Sequence, residues 1–143
     1  ERSIGFAEFA PLLTVPGVTF VNLQKEMTDE ERHLAAALKM VHPGRNFRET
    51  AELVSALDLV ITCDTAIAHL AGALGKPCWV VLKHIPEWRW FLDRDDSPWY
   101  PGVLRQYRQR AYGQWDEVLH LLLPRLVLEC ACWLGKLGKH KSV

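Results

Sequence analysis

The sequence predicts a Rossmann-like α/β fold, in which a parallel sheet lies between two layers of helices. Strand-like and helix-like segments alternate along the first 126 residues. Two of the strand-like segments, 59–63 and 78–82, are continuous apolar runs, which is typical of strands covered on both faces. The helix-like segments begin at recognisable cap residues. This alternation favours right-handed crossovers and a parallel sheet.

Local patterns define the elements of the first part of the chain. Pro16-Gly17 closes a short helical pattern, and a β-rich run follows this turn. Thr28 and Glu31 form a capping box, which predicts the start of a helix. The predicted elements are a helix over 6–13, a strand over 18–23, a helix from 28 to about 38, a short strand over 39–42 and a turn at 43–44.

The second part of the chain continues the alternation. Asn46 caps a helix with Glu49 at the capping-box position, and Gly75 with Pro77 ends a later helix. The predicted elements are a helix over 47–57, a strand over 59–63, a helix over 65–74, a strand over 78–82, a weaker strand over 103–109 and an amphipathic helix from 115 onward.

Composition and charge exclude several functions. Among 143 residues, Lys+Arg and Asp+Glu both number 17, so no overall field attracts nucleic acid or an anionic membrane. The four cysteines lack the paired spacing of a zinc site, and we expect no metal and reduced thiols in a cytoplasmic protein.

We expect neither a signal peptide nor a membrane span. The most apolar stretch, 118–134, is interrupted by His120, Pro124, Arg125 and Glu129. The chain begins at Glu1, and we expect it to be a piece of a longer protein. Residues 127–143 are predicted to form a separate helical tail of unknown role, whose apolar side chains favour self-association.

The junction at Asp64-Thr65 is the strongest candidate site. An apolar strand ends there and a helix begins, so the helix presents unpaired N–H groups where ligands of parallel sheets bind. Thr65 and Ala66 can donate to a phosphate, His69 lies one turn further on, and Asp64 suits sugar hydroxyls. The alternative is that Asp64 is simply the N-cap and His69 packs under a loop.

Two longer strings connect this site to a known family. The strings "DTAIAHLAGALGKP" (64–77) and "PEWRWFLDRDDSPWYP" (86–101) resemble glycosyltransferase family 9, the heptosyltransferase-like family. The likeness is greatest to the bacterial branch fused to tetratricopeptide repeats. "FVNLQKE" (20–26) resembles that branch's second strand, although Glu26 replaces the usual glycine. The resemblance covers residue 3 to about residue 126.

This resemblance implies the C-terminal half of a GT-B fold, which binds a nucleotide-diphosphate sugar. Asp64 would contact the donor sugar, and Thr65 and Ala66 would contact the diphosphate with support from His69. Lys25 and Glu26 would lie near the nucleoside.

The aromatic segment supplies a candidate lining for the cleft. Trp88, Trp90, Trp99 and Tyr100 are numerous for a loop, and Arg89 lies among them. We favour packing as a lid over direct ligand contact, since Trp usually contributes buried area first. Trp88, Arg89 and Trp90 are the residues expected to line the cleft.

The implied reaction is inverting, metal-independent transfer of a hexosyl or heptosyl group to a glycan, a lipid-linked sugar or a protein. The general base would belong to an N-terminal domain outside this chain, so we expect the isolated fragment to be inactive. The alternatives are a non-catalytic scaffold that keeps the fold and, less favoured, an epimerase-like enzyme.

Overall fold

The computed structural model describes residues 4–41 and 46–139, with side chains described as far as residue 135. Three strands form one parallel sheet in the order β1 (Val60–Cys63), β2 (Cys78–Leu82), β3 (Leu104–Arg108). The helices are α1 (Ala10–Leu13), α2 (Asp29–Ala37), α3 (Phe47–Ala56), α4 (Ala66–Ala73) and α5 (Trp115–Lys139), with 3-10 turns at Phe6–Phe9 and Trp88–Trp90. The predicted α/β class is therefore confirmed.

Alternating side chains of β2 divide the core into two halves. Trp79 and Val81 pack on one face of the sheet, against α1 and α5. Cys78, Val80 and Leu82 pack on the other face, against α3 and α4. All five side chains are buried, as the continuous apolar run predicts for a strand with helices on both faces.

The predicted capping boxes of α2 and α3 are both present. The Oγ1 of Thr28 accepts from the N–H of Glu31, and the carboxylate of Glu31 accepts from the N–H of Thr28. Asn46 and Glu49 form the same reciprocal pair at the start of α3. These pairs satisfy N–H groups that the first turn of each helix would otherwise leave without a partner.

Glycine ends α4 as predicted. Gly75 has a φ of 66°, its N–H bonds to the carbonyl of Gly72, and the N–H of Lys76 bonds to the carbonyl of Ala71. This is the Schellman arrangement, in which a left-handed residue turns the chain and satisfies the last carbonyls.

Within the described residues 18–23 and 39–41, the predicted strands are not formed as such. A single parallel bridge joins Val21 to Val41, and Lys39 ends α2 in the left-handed region with a φ of 54°. Lys39 takes the place that Gly75 has after α4, because the N–H of Met40 bonds back to the carbonyl of Ala35. His42 and the predicted turn at 43–44 lie outside the described residues.

The last helix continues through the predicted boundary between residues 126 and 127. Leu126 and Cys130 are both buried against the sheet, and Pro124 lies within the helix. Residues 140–143 of the predicted tail lie outside the described part, and a separate role for the tail stays a prediction.

By length and hydropathy alone, residues 115–135 of α5 would suffice to cross a membrane. The polar residues within this stretch predict the opposite. One face of this helix packs in the core, while 28% of the stretch is buried. The opposite side exposes apolar side chains at Leu121, Val127, Leu128 and Leu134.

Candidate functional site

The candidate site lies where β1 ends and α4 begins. Thr65 is the N-cap of α4, since its Oγ1 accepts from the N–H of Ile67 at 3.3 Å. The part of the alternative in which Asp64 caps this helix is therefore wrong, whereas the part in which His69 packs under a loop agrees with the structure. The Oγ1 of Thr65 also lies 3.1 Å from the Oγ1 of Thr62, the third residue of β1. This contact with β1 holds the Thr65 hydroxyl at the N-terminus of α4.

Two donors remain at this helix terminus. A hydroxyl accepts up to two hydrogen bonds and donates one. When Thr62 donates to Thr65, both acceptor positions of Thr65 are filled and its own proton is available to a ligand. The N–H of Ala68 bonds to the carbonyl of Thr65 at 3.1 Å, whereas the N–H of Ala66 has no acceptor within the described chain. Both residues are exposed, so this terminus can receive an anion.

Asp64 pairs with the aromatic loop, Trp88–Tyr100. Its Oδ1 lies 3.8 Å from the Nη1 of Arg89, and the two side chains are 12% and 32% exposed. A carboxylate alone beside the helix terminus would repel a phosphate, and the guanidinium offsets that charge. The carboxylate still has acceptor positions for hydroxyl groups. The pair connects the end of β1 to the loop.

His69 is held by the aromatic loop. Its Nδ1 lies 3.0 Å from the hydroxyl of Tyr100, and its ring stacks on Trp90 with centroids 5.6 Å apart at 21°. Gly72, one turn further along α4, makes room for Tyr100: a Cβ there would lie 2.5 Å from the ring. Only the Nε2 of His69 is left for a ligand.

The tryptophans of the loop have different surroundings. Trp90 is fully buried, and its Nε1 has no acceptor within the described chain. Trp88 is 72% exposed, with its ring 5.8 Å from the guanidinium carbon of Arg89 and edge-on to Trp99. The Nε1 of Trp99 donates to the carbonyl of Arg89 at 3.0 Å. Trp90 therefore packs, whereas Trp88 and Arg89 reach solvent.

Arg108 anchors this loop, and sequence reasoning missed it. From β3 its guanidinium donates to the carbonyls of Phe91 at 2.6 Å and Leu92 at 2.8 Å, with a longer contact of 3.3 Å to Trp90. Burial lowers the pKa of Arg108, but an arginine stays protonated in proteins. The sequence carries no signal for this role, because the partners of Arg108 are main-chain carbonyls.

Lys25 and Glu26, the two residues predicted to contact the nucleoside, lie in different surroundings. Lys25 lines a cavity of about 970 Å³ together with Thr65 and Ala66. Glu26 is exposed and is not part of that lining. The structure thus brings Lys25, but not Glu26, to the cavity on which the helix terminus opens.

No metal site is built from the described residues, which contain no group of three or more His, Cys, Asp or Glu side chains able to hold an ion. Burial raises the pKa of the Cys78 thiol to about 12, so this thiol stays protonated and inert.

A parallel sheet with helices on both faces, and a helix that begins at the carboxyl end of a strand, define a Rossmann-like α/β protein. The chain matches the model of glycosyltransferase family 9 (heptosyltransferase) over residues 5–81, and it belongs to this family. It is 34% identical over 130 residues to protein FlbA of Caulobacter vibrioides, which covers 83% of this chain. The chain spans 21% of the length of FlbA. No solved structure matches it significantly.

Proposed function

We propose that this chain is the C-terminal, donor-binding half of a GT-B glycosyltransferase whose donor is a nucleotide-diphosphate sugar. One observation carries the proposal: Thr65 and Ala66, both exposed at the start of α4, line a cavity of about 970 Å³. Membership of glycosyltransferase family 9 supplies the substrate class. An N-terminal domain, fused in turn to tetratricopeptide repeats, would complete the enzyme.

Each site residue has a role in this proposal. Thr65 and Ala66 bind the diphosphate, with the Nε2 of His69 as a third contact. Asp64 accepts from sugar hydroxyls, and the 3.8 Å contact to Arg89 fixes its direction. Lys25, which lines the same cavity, contacts the nucleoside.

The chemistry is inverting transfer of a hexosyl or heptosyl group, without a metal. The diphosphate leaves with growing negative charge, and donors at a helix terminus stabilise it without reorganising. The base that deprotonates the acceptor hydroxyl belongs to the N-terminal domain. The 143-residue chain therefore binds the donor and does not turn it over. The acceptor is a glycan, a lipid-linked sugar or a protein, and the reduced cysteines support a cytoplasmic location.

Substitutions at Thr65 test the diphosphate site. Thr65→Asp keeps a good N-cap, so stability should change by less than about 0.5 kcal/mol, but it places a carboxylate where the phosphate binds. Amide spectra recorded with ADP, GDP, UDP and CDP at millimolar concentration should show shifts at Ala66 for the wild type and for Thr65→Ser. Thr65→Asp should show none. Equal shifts in all three proteins would overturn the diphosphate assignment.

Asp64→Asn tests the sugar site separately. The amide retains the shape but loses the charge and half of the acceptor capacity, so the advantage of a hexose conjugate over the bare nucleotide should shrink. Affinity for the bare nucleotide should be retained. If neither nucleotides nor their hexose conjugates shift the amides of Thr65 and Ala66, the scaffold alternative replaces the donor site. Transfer by the isolated chain would contradict the assignment of the base to another domain.

A further inference from the structure

A second cavity, of about 350 Å³, is lined by residues of β3 and α5. β3 contributes Arg105, Tyr107 and Arg108 to its wall, and α5 contributes Leu121 and Arg125. In the sheet β2 separates β3 from β1, and this cavity shares none of the described residues with the larger one at the start of α4. It is therefore a site apart from the candidate donor site.

The wall of this cavity carries a net positive charge. Three arginines but one carboxylate, that of Asp95, line it. The Nη2 of Arg105 lies 3.1 Å from the Oδ2 of Asp95, and the Nε of Arg125 lies 3.5 Å from the Oε1 of Glu129. Arg105 and Arg125 are 48% and 46% exposed, and ion pairs at such exposure contribute little to stability. Both guanidiniums can therefore turn to a stronger anion in the cavity.

Tyr107 supplies a third donor. Its side chain is 9% exposed and packs in the core between the sheet and α5, yet its hydroxyl has no hydrogen-bond partner within the described chain. Burial raises the pKa of Tyr107, so the hydroxyl stays protonated and can donate. Nearby guanidiniums lower the same pKa and nearby carboxylates raise it, namely Arg105, Arg125, Glu129 and Asp95. The hydroxyl therefore lies among the charged groups of the cavity, and an anion there would give it an acceptor.

These donors fit a phosphate group better than a carboxylate. A carboxylate is planar, and a single arginine can satisfy it, as Arg105 does for Asp95. A phosphate group carries up to two negative charges and three acceptor oxygens, so it can accept from the strand, the helix and the ring together. Its four oxygens need roughly 120 Å³ at about 30 Å³ for each water-sized group, which is less than the volume of the cavity. The remaining space adjoins Leu121, which is 52% exposed and can contact a small organic group.

We propose that Arg105, Tyr107 and Arg125 form a second anion site, which binds the phosphate group of a small molecule independently of the donor site. Each guanidinium donates to phosphate oxygens, and the hydroxyl of Tyr107 donates to a further oxygen. Arg108 adds positive charge from the wall while it keeps its hydrogen bonds to the aromatic loop. The ligand is free phosphate or a small phosphomonoester.

Phosphorus NMR of the full-length protein carrying Thr65→Asp tests this proposal. That substitution removes the proposed diphosphate site, so the fate of the donor assignment does not alter the outcome. Line widths are followed while inorganic phosphate and, separately, O-phosphoserine are titrated at constant ionic strength. Arg125→Gln should weaken binding by about tenfold or more, because a hydrogen bond between charged groups is lost, and Tyr107→Phe by about threefold or more. Arg48→Gln, which removes the same charge from an exposed pair on α3, is the matched control and should leave binding unchanged.

Weaker binding in Arg125→Gln and in Tyr107→Phe, with the control unchanged, supports the site. Tighter binding of O-phosphoserine than of inorganic phosphate then assigns the site to a phosphomonoester, and any other order assigns it to free phosphate. Equal affinity in all variants overturns the proposal, because phosphate then binds elsewhere. A loss in Arg125→Gln that Tyr107→Phe does not share also overturns it, since the hydroxyl is then no part of the site. Succinate that competes as well as phosphate overturns it too, because charge alone is then selected.

Discussion

Gly72→Ala is the sharpest test of the contact between α4 and the aromatic loop. In an ordinary helix this change stabilises by about 0.5–1 kcal/mol, because glycine loses more backbone entropy on folding. Here the new Cβ would lie 2.5 Å from Cγ and Cδ1 of Tyr100, well inside van der Waals contact. The ring must move, at a cost of about 1–3 kcal/mol for overpacking. Its hydrogen bond to His69, worth about 1 kcal/mol, is lost as well.

The expected net result is a loss of about 2 kcal/mol in the free energy of unfolding. Urea denaturation should show a lower midpoint with an unchanged slope. Gly135→Ala in α5 is the matched control, because its Cβ would meet nothing within 4 Å in the described chain, and it should stabilise by up to about 1 kcal/mol. If both variants are stabilised alike, Tyr100 does not occupy the space beside Gly72 and the described packing of His69 is wrong.

Three further predictions concern stability. Arg108→Met removes the donors to three loop carbonyls and should lower the free energy of unfolding, measured by urea denaturation, by about 2 kcal/mol. Arg48→Met, which breaks an exposed pair, is the control and should change this free energy by less than about 0.5 kcal/mol. Lys39→Gly should stabilise by about 1 kcal/mol because glycine adopts a φ of 54° without strain, and an equal gain from Lys39→Ala would contradict this reason. The pKa of Cys78 is raised from 9.0 to about 12 in the folded chain, so unfolding releases a proton above pH 9. Stability should therefore fall there, by up to about 1.4 kcal/mol per pH unit, and a Cys78→Ala variant with the same pH profile would refute this cause.

Local patterns predicted most of the elements because each depends on neighbours in sequence. The capping box at Thr28, the glycine stop at Gly75 and the apolar run of β2 need no distant partner to be recognised. The prediction of a strand over 18–23 was wrong for the opposite reason. A strand exists only when another strand pairs with it, and here a single bridge to Val41 is formed.

The candidate site was predictable in part. The position of Thr65 and Ala66 at the α4 terminus follows from the order of strand and helix. Its details do not, since the contact of Asp64 with Arg89 joins residues 25 positions apart through the fold. The role of Arg108 could not be predicted either. Its partners are main-chain carbonyls, which every residue has whatever its side chain.

The anchoring of the aromatic loop through its main-chain carbonyls decides which of its side chains can vary. Arg108 donates hydrogen bonds to carbonyls of the aromatic loop, and the side-chain amide of Gln106 donates to the carbonyl of Asp96 in the same way. Backbone atoms are common to every amino acid, so the path of the loop survives replacement of the side chains it displays. Trp88, which is 72% exposed, can thus be exchanged for other residues while the backbone of the loop keeps its path.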